Sequence, residues 1–336
     1  NDVDNGMELS TTGLNGITLL EPAALTLVVG AGTPLRDVTA ALDAENLQLP
    51  FEPMDHRTLL KSSGETTIGG VAACNISGPR RIQTGACRDS MIGVRFVDGS
   101  GNIVKNGGRV MKNVTGYDLV KLMGGSMGTL GVISELSFKV QPKPECQATI
   151  KIHGLDDTRG VQALSRALGS PNDVTGAAFF DETAFVRIEG LPKSVAYRTD
   201  ALKAIFKDQQ VTVIPDDFDA WRGIANADVI ARDDGSIWRV SVKPTDGPKL
   251  VQDLRDAGIA LNAQYDWGGG LVYLSLPDDV NLREHMAGFK GYASVVRGAG
   301  GNAKCVTSQN KFTAQIDQQL RQQFDPRGIL NTGIMG

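Results

Sequence analysis

The sequence predicts an α+β protein of two domains. Three observations carry that prediction. The chain has 336 residues, about twice a usual domain length. Its first half reads as strands and glycine turns, and its second half as a strand–helix series that runs twice in the same order. In the first half, residues 25–29 form an apolar, β-prone run ending at Gly30-Ala31-Gly32. Pro34 then opens a helix with Leu35, Val38, Ala41 and Leu42 at helical spacing. Residues 91–97 and 103–104 flank the turn Asp98-Gly99-Ser100-Gly101-Asn102, a hairpin signal. A long strand over 130–140 follows, and Pro142 and Pro144 bracket a linker.

From about residue 147 the pattern predicts a strand over 148–152, a helix over 161–168, strands over 176–180 and 184–188, a helix over 195–206 and a strand over 211–214. The second series runs as strands at 229–231 and 237–242, a helix at 249–256, strands at 259–264 and 271–276, a helix near 282–289 and a strand at 293–296. This is the order of two split βαβ units side by side. A helix over 313–324 and the turn Asp325-Pro326-Arg327-Gly328 close the chain.

Composition narrows the function classes. A net charge of -4 argues against binding a phosphate backbone and gives no membrane-surface signal. Cys74, Cys87, Cys146 and Cys305 are scattered with no CxxC pair, against a zinc site or a cysteine-held iron–sulfur cluster. Such sparse use fits a reducing cytoplasm. No apolar stretch is long enough to span a membrane, and no signal peptide is visible.

Glycine is in excess, and the excess is local: residues 30–131 hold 17 of the 40. Gly30-Ala31-Gly32 followed by a helix and then Glu52 imitates a dinucleotide fingerprint. Leu35, however, stands at the third glycine position and Pro34 inside the loop, so a strand-to-helix turn is the better reading. The stronger signal spans 66–133. It runs through Thr66-Thr67-Ile68-Gly69-Gly70, Ser77-Gly78-Pro79-Arg80-Arg81 and Thr84-Gly85-Ala86-Cys87-Arg88-Asp89. It continues through Lys112-Asn113-Val114-Thr115-Gly116-Tyr117-Asp118 and Gly125-Ser126-Met127-Gly128-Thr129-Leu130-Gly131-Val132-Ile133. Paired glycines let main-chain N–H groups approach a flat ring or a pyrophosphate. Ser and Thr add short donors, and Arg80, Arg81 and Arg88 offer charge for a phosphate or carboxylate.

This ordered set resembles the FAD-binding domain of the vanillyl-alcohol oxidase (PCMH-type) flavoprotein superfamily, and within it the E-subunit family of glycolate oxidases. The closing Phe324-Asp325-Pro326-Arg327-Gly328-Ile329-Leu330-Asn331-Thr332-Gly333 is similar to the superfamily's last segment, with Thr332 where proline is usual. The resemblance implies a two-subdomain PCMH-type FAD-binding domain over 1–145, its N-terminal subdomain truncated. It implies a cap domain of paired ferredoxin-like units over 146–300 and a segment returning to the FAD domain over 301–336. The superfamily's first pyrophosphate loop is expected before Asn1, outside this sequence.

The resemblance further implies FAD as cofactor and a line of contacts along it. Pro53, Thr67, Ile68, Gly69 and Gly70 match positions along the flavin and pyrophosphate. Ser77, Gly78, Thr84 and Gly85 match further lining positions. Gly131, Ile133 and Asn331 match positions on the adenine side or in the closing segment. No metal is expected. The implied activity is oxidation of a 2-hydroxy acid, glycolate to glyoxylate. Electrons would pass to a separate iron–sulfur subunit, beside a larger FAD-binding paralogous subunit. The implied location is cytoplasmic, reaching the inner membrane only through partners.

Such chemistry needs a cation for the carboxylate and a base near the hydroxyl. His56 is the nearest of the imidazoles by motif, the others being His153 and His285, and Arg80, Arg81 and Arg88 are the candidate cations. Trp221, Trp238 and Trp267 are expected in core or interface, and Tyr117 with Asp118 to pack and cap. A second reading stands beside this one: a non-catalytic, flavin-domain-derived subunit that stabilises a catalytic paralogue.

Overall fold

The computed structural model describes residues 6–108, 116–299 and 311–334. The motif residues Lys112 to Thr115, and Cys305, lie outside them. Along the first part run β1 (Ile17–Glu21), β2 (Thr26–Gly30), α1 (Leu35–Ala44), β3 (Leu47–Gln48), α2 (His56–Leu60) and α3 (Ile68–Ala73). Then come α4 (Arg81–Thr84), α5 (Cys87–Ser90), β4 (Met91–Val97), β5 (Ile103–Gly107), α6 (Leu119–Met123), β6 (Val132–Lys139) and β7 (Gln141–Pro142). Five of these strands form a sheet in the order β1-β2-β6-β4-β5, every pairing antiparallel. A dinucleotide fold needs parallel strands, so the Gly30–Gly32 turn serves another end. A Cβ at Gly30 would strike the Leu14 carbonyl, and one at Gly32 the Thr11 carbonyl.

The second part holds β8 (Cys146–His153), α7 (Asp157–Leu168), β9 (Gly176–Phe180), β10 (Thr183–Gly190), α8 (Pro192–Ile205) and β11 (Val211–Pro215). After α9 (Phe218–Ala225) and α10 (Asp228–Ala231) come β12 (Ser236–Val242), α11 (Asp246–Asp256), β13 (Asn262–Asp266), β14 (Leu271–Leu276) and β15 (Gly291–Arg297). They build one eight-stranded sheet, β11-β8-β10-β9-β13-β14-β12-β15. Each half orders its strands four-one-three-two, the split βαβ arrangement. The halves join edge to edge where Tyr265 pairs with Phe179.

Alternation along β12 decides what each sheet face meets. Trp238, Val240 and Val242 pack with Leu250, Val251 and Leu254 of α11. Ile237 points the other way, into a cluster with Met54 and Leu59 of the first domain. That opposite face is where the two domains meet.

Two expected elements are different in kind. The strand expected at 229–231 is the helix α10, which buries Ile230 and Ala231 in the same interdomain cluster. The helix expected near 282–289 is a single 3-10 turn, Leu282–His285, so this unit covers its sheet less fully than its twin. Asp118 does cap α6, accepting the Lys121 N–H at 3.1 Å, but Tyr117 stands in solvent instead of packing. The last helix, α12 (Lys311–Phe324), ends against the first domain. The Phe324 ring lies tilted against that of Phe96, its carbonyl accepts from Gly99 N–H at 2.8 Å, and Asn331 donates to the Met127 carbonyl at 2.7 Å.

A buried ion chain crosses between the domains. Glu52 accepts two parallel bonds of 2.8 Å from Arg187 of β10. Arg187 also reaches Glu189 at 3.2 Å, and Glu189 reaches Arg80 at 3.1 Å. The acid that imitated a ribose ligand in the sequence is thus an interdomain tie.

Candidate active site

Between the five-stranded domain and the face of β12, β14 and β15 turned toward it lies a cavity of about 700 Å³, within the range of small-molecule sites. The first domain contributes Thr67, Gly70, Cys74, Arg81 and Met127. The second contributes Arg239, Tyr273, Tyr292 and Ser294. His56, at the start of α2, lines the same space.

Thr67 caps α3, its hydroxyl accepting the Gly70 N–H at 3.3 Å. This turns the Thr67-Ile68-Gly69-Gly70 segment into a helix with two distinct sides. Ile68 and Gly69 are buried beneath it; a Cβ at Gly69 would lie 2.6 Å from the Ala31 carbonyl oxygen. Gly70 faces outward, and a Cβ there would meet only the Thr67 hydroxyl at 3.4 Å. Of the residues matched to the cofactor, Thr67 and Gly70 line this cavity.

The others are placed around it. Pro53 lines a separate groove beside α1. Ser77 accepts the Cys87 N–H at 2.9 Å, and the Gly78 carbonyl accepts from Trp267. Thr84 donates to the Pro50 carbonyl at 2.9 Å, and Gly85 makes the turn at φ +84°. Gly131 packs on Phe96, Ile133 is buried, and Asn331 touches the cavity wall through Met127. Cys87 is buried, with its thiol pKa pushed far up by desolvation.

The candidate cations part company. Arg80 is buried and held by Glu189 and Gln83, away from the cavity. Arg88 is exposed and lies outside the lining. The cations in the cavity are Arg81, one residue along, and Arg239, to which no sequence motif pointed. Among the described residues no carboxylate lies within ion-pair distance of either. Burial, and then the Arg239 charge, lower the pKa of Arg81. Burial penalises Arg239 too, but Tyr273 and Tyr292 outweigh it and hold its charge. Tyr292 accepts from Arg239 at 3.5 Å; burial raises its pKa, but the Arg239 charge, the hydrogen bonds to Arg239 and Ser241 and the Arg81 charge together lower it.

His56 is pushed below its ordinary 6.5 by burial, which outweighs an upward pull from Asp55, and the Arg239 charge adds a smaller push downward. Its imidazole is therefore neutral at pH 7. The cavity thus combines a neutral base, two unpaired cations and an open glycine face. A planar ring system fits against Gly70, with the arginines left for an anion. His153 is elsewhere, bonded to Thr183 and Thr212.

Beside the cavity, Asp266 is wholly buried and its pKa is raised by desolvation from 3.8 to about 7. The folded protein therefore holds a proton that the unfolded chain releases between those values. The Asp266 contribution to stability is fully present below about 3.8 and is lost as pH rises through about 7. At about 1.4 kcal/mol per tenfold in proton affinity the upper bound is about 4 kcal/mol. Relaxation around the ionised group leaves an expected gain of about 2 kcal/mol for Asp266→Asn at pH 8 and none at pH 4. Melting temperature against pH, compared with the parent chain, reads this directly; a gain independent of pH would refute it.

This architecture is that of an FAD-binding protein of mixed α and β structure. Residues 1–107 match the family described as FAD binding domain. Glycolate oxidase subunit GlcE of Escherichia coli (strain K12) is 31% identical over 331 residues, covering 98% of this chain and 87% of that one. The chain therefore belongs to the GlcE family of FAD-dependent, PCMH-type oxidoreductase subunits. Glycolate oxidase subunit GlcD of Bacillus subtilis (strain 168) is 31% identical over 196 residues, covering 57% of this chain and 40% of that one. A solved alkyldihydroxyacetonephosphate synthase superposes with a TM-score of 0.65 at 15% identity, over 95% of this chain and 66% of that one, which shows the shared fold. Among the described residues no helix is long and apolar enough to cross a membrane.

Proposed function

We propose that this chain is the FAD-binding subunit of a 2-hydroxy acid oxidoreductase complex, with glycolate as substrate and glyoxylate as product. One observation carries the reading: two arginines from different domains enter one cavity without a carboxylate partner, beside a neutral histidine and the open face of Gly70. Thr67 and Gly70 hold the flavin side of the cavity. FAD bound there supplies the two-electron oxidant. Arg81 and Arg239 grip the substrate carboxylate through charge-assisted bonds. His56 takes the proton of the substrate hydroxyl. The cavity walls come from both domains, and partial burial of the charged groups strengthens each of these contacts.

Electrons leave through a separate iron–sulfur chain, and a larger FAD-binding paralogue completes the complex. The names of the relatives as subunits of a glycolate oxidase support the paralogous partner.

The test is a visible spectrum of the purified chain loaded with FAD, before and after glycolate. Bleaching of the flavin bands supports the reading. Flavin that stays oxidised would remove the catalytic role and favour a stabilising subunit. Arg239→Gln is expected to raise KM for glycolate about a hundredfold, the cost of deleting one side of a desolvated charge pair. An unchanged KM would show that Arg239 does not hold the carboxylate.

A further inference from the structure

Both cavity arginines lie over the ring of Trp267. The Arg81 guanidinium carbon is 4.4 Å from the ring centroid and that of Arg239 is 5.2 Å away. Arg81 comes from the first domain and Arg239 from the second. Trp267 is itself tied across the boundary, donating its Nε1–H to the Gly78 carbonyl at 2.9 Å. Its backbone is held at φ +53°, a conformation that a bulky side chain avoids. The Asp266 side chain holds it there, one of its carboxyl oxygens accepting the Trp267 N–H at 2.7 Å. Backbone strain of this kind persists only where surroundings enforce it, and it gathers at functional sites.

Two guanidinium groups with no carboxylate between them repel. An indole face, with its negative quadrupole, offsets that repulsion without neutralising either charge. A carboxylate in its place would pair with the arginines and leave them nothing to offer a ligand. We propose that Trp267 is a positioning residue, an inference that rests on the carboxylate-site reading above: its ring holds Arg81 and Arg239 at the spacing that lets both grip one small carboxylate anion. Trp267 acts through the arginines and has no contact of its own with the reacting atoms. The site it shapes selects small 2-hydroxy acids and dicarboxylates over neutral alcohols.

Oxalate is the probe for the test. It is a small carboxylate with no C–H bond to give up, so binding is read without turnover. Oxalate is titrated calorimetrically into the FAD-loaded chain and into the chain without FAD. The protein is prepared with ordinary tryptophan and with mono-, di- and trifluorinated tryptophan. Fluorination drains the indole face of electron density at nearly constant size, so the fold is kept. The Kd for oxalate is expected to rise stepwise along the series, by about three- to tenfold in all. In a Trp267→Phe background the same labels are expected to leave Kd unchanged, because Trp221 and Trp238 face Arg187 and Arg283 instead. A Kd indifferent to fluorination in the parent chain overturns the positioning role and leaves the carboxylate site standing. A parent chain that binds no oxalate overturns the carboxylate reading itself, and the role of Trp267 with it.

Discussion

Gly70→Val is expected to give a folded protein that purifies without flavin. The fold should tolerate the change. A Cβ at this position meets only the Thr67 hydroxyl at 3.4 Å, which is ordinary contact. Within α3, exchanging glycine for valine is neutral to slightly favourable for the helix. The two added methyl groups instead project into the cavity, where a flat ring system would lie against the main chain. Its neighbour supplies the contrast. Gly69→Val forces carbon to within 2.6 Å of the Ala31 carbonyl oxygen and 2.8 Å of its Cβ, where α3 packs under the β2 loop. That overpacking is expected to cost about 1–3 kcal/mol or more. The pair separates two roles that the sequence places side by side: Gly69 for packing, Gly70 for ligand space. The readouts are visible absorbance after loading with FAD and the midpoint of thermal unfolding. A Gly70→Val protein that keeps its flavin would remove α3 from the cofactor site.

The adjacency of those two glycines also shows where sequence reading runs out. The order of strands and helices was legible because burial on one face imposes a period on the residues themselves. Trp238 and Val240 mark β12 as a strand in that way. The direction of Arg239 was not legible, since it depends on the first domain covering the opposite face of the sheet. Arg80 and Arg81 carry the same charge one residue apart, yet one enters a buried ion chain and the other the cavity. Their parting is set by the turn into α4, which brings Arg81 against Trp267, a residue 186 positions further along. Short elements failed for a related reason. Four residues at Asp228–Ala231 hold too little periodicity to separate a strand from a helical turn, and tertiary contact with Met54 and Leu59 decides the matter. Glycines hid α3 as well, because its helical character rests on the Thr67 cap and not on propensity.

Arg187→Ala is expected to destabilise the protein by about 3–5 kcal/mol, the usual cost of leaving a buried ion pair half made. Arg187 is 2% exposed, and its guanidinium meets Glu52 in a two-bond fork and Glu189 alongside. Removing it leaves the two carboxylates buried against each other, with Arg80 the remaining nearby cation. The loss should concentrate at the domain boundary, since Glu52 belongs to the first domain and Arg187 to the second. Replacing both partners tests the point more sharply. Glu52→Leu with Arg187→Met removes one charge of each sign and leaves the Arg80–Glu189 pair balanced. Matched apolar side chains in such a site are often neutral or better, so the double variant should recover most of the loss. Denaturant unfolding of the parent, the two single variants and the double variant gives the coupling energy, expected above about 1.5 kcal/mol for groups in direct contact. Additive single losses would mean that the fork is not what joins the domains, and that the apolar cluster of Met54, Leu59 and Ile237 carries the boundary alone.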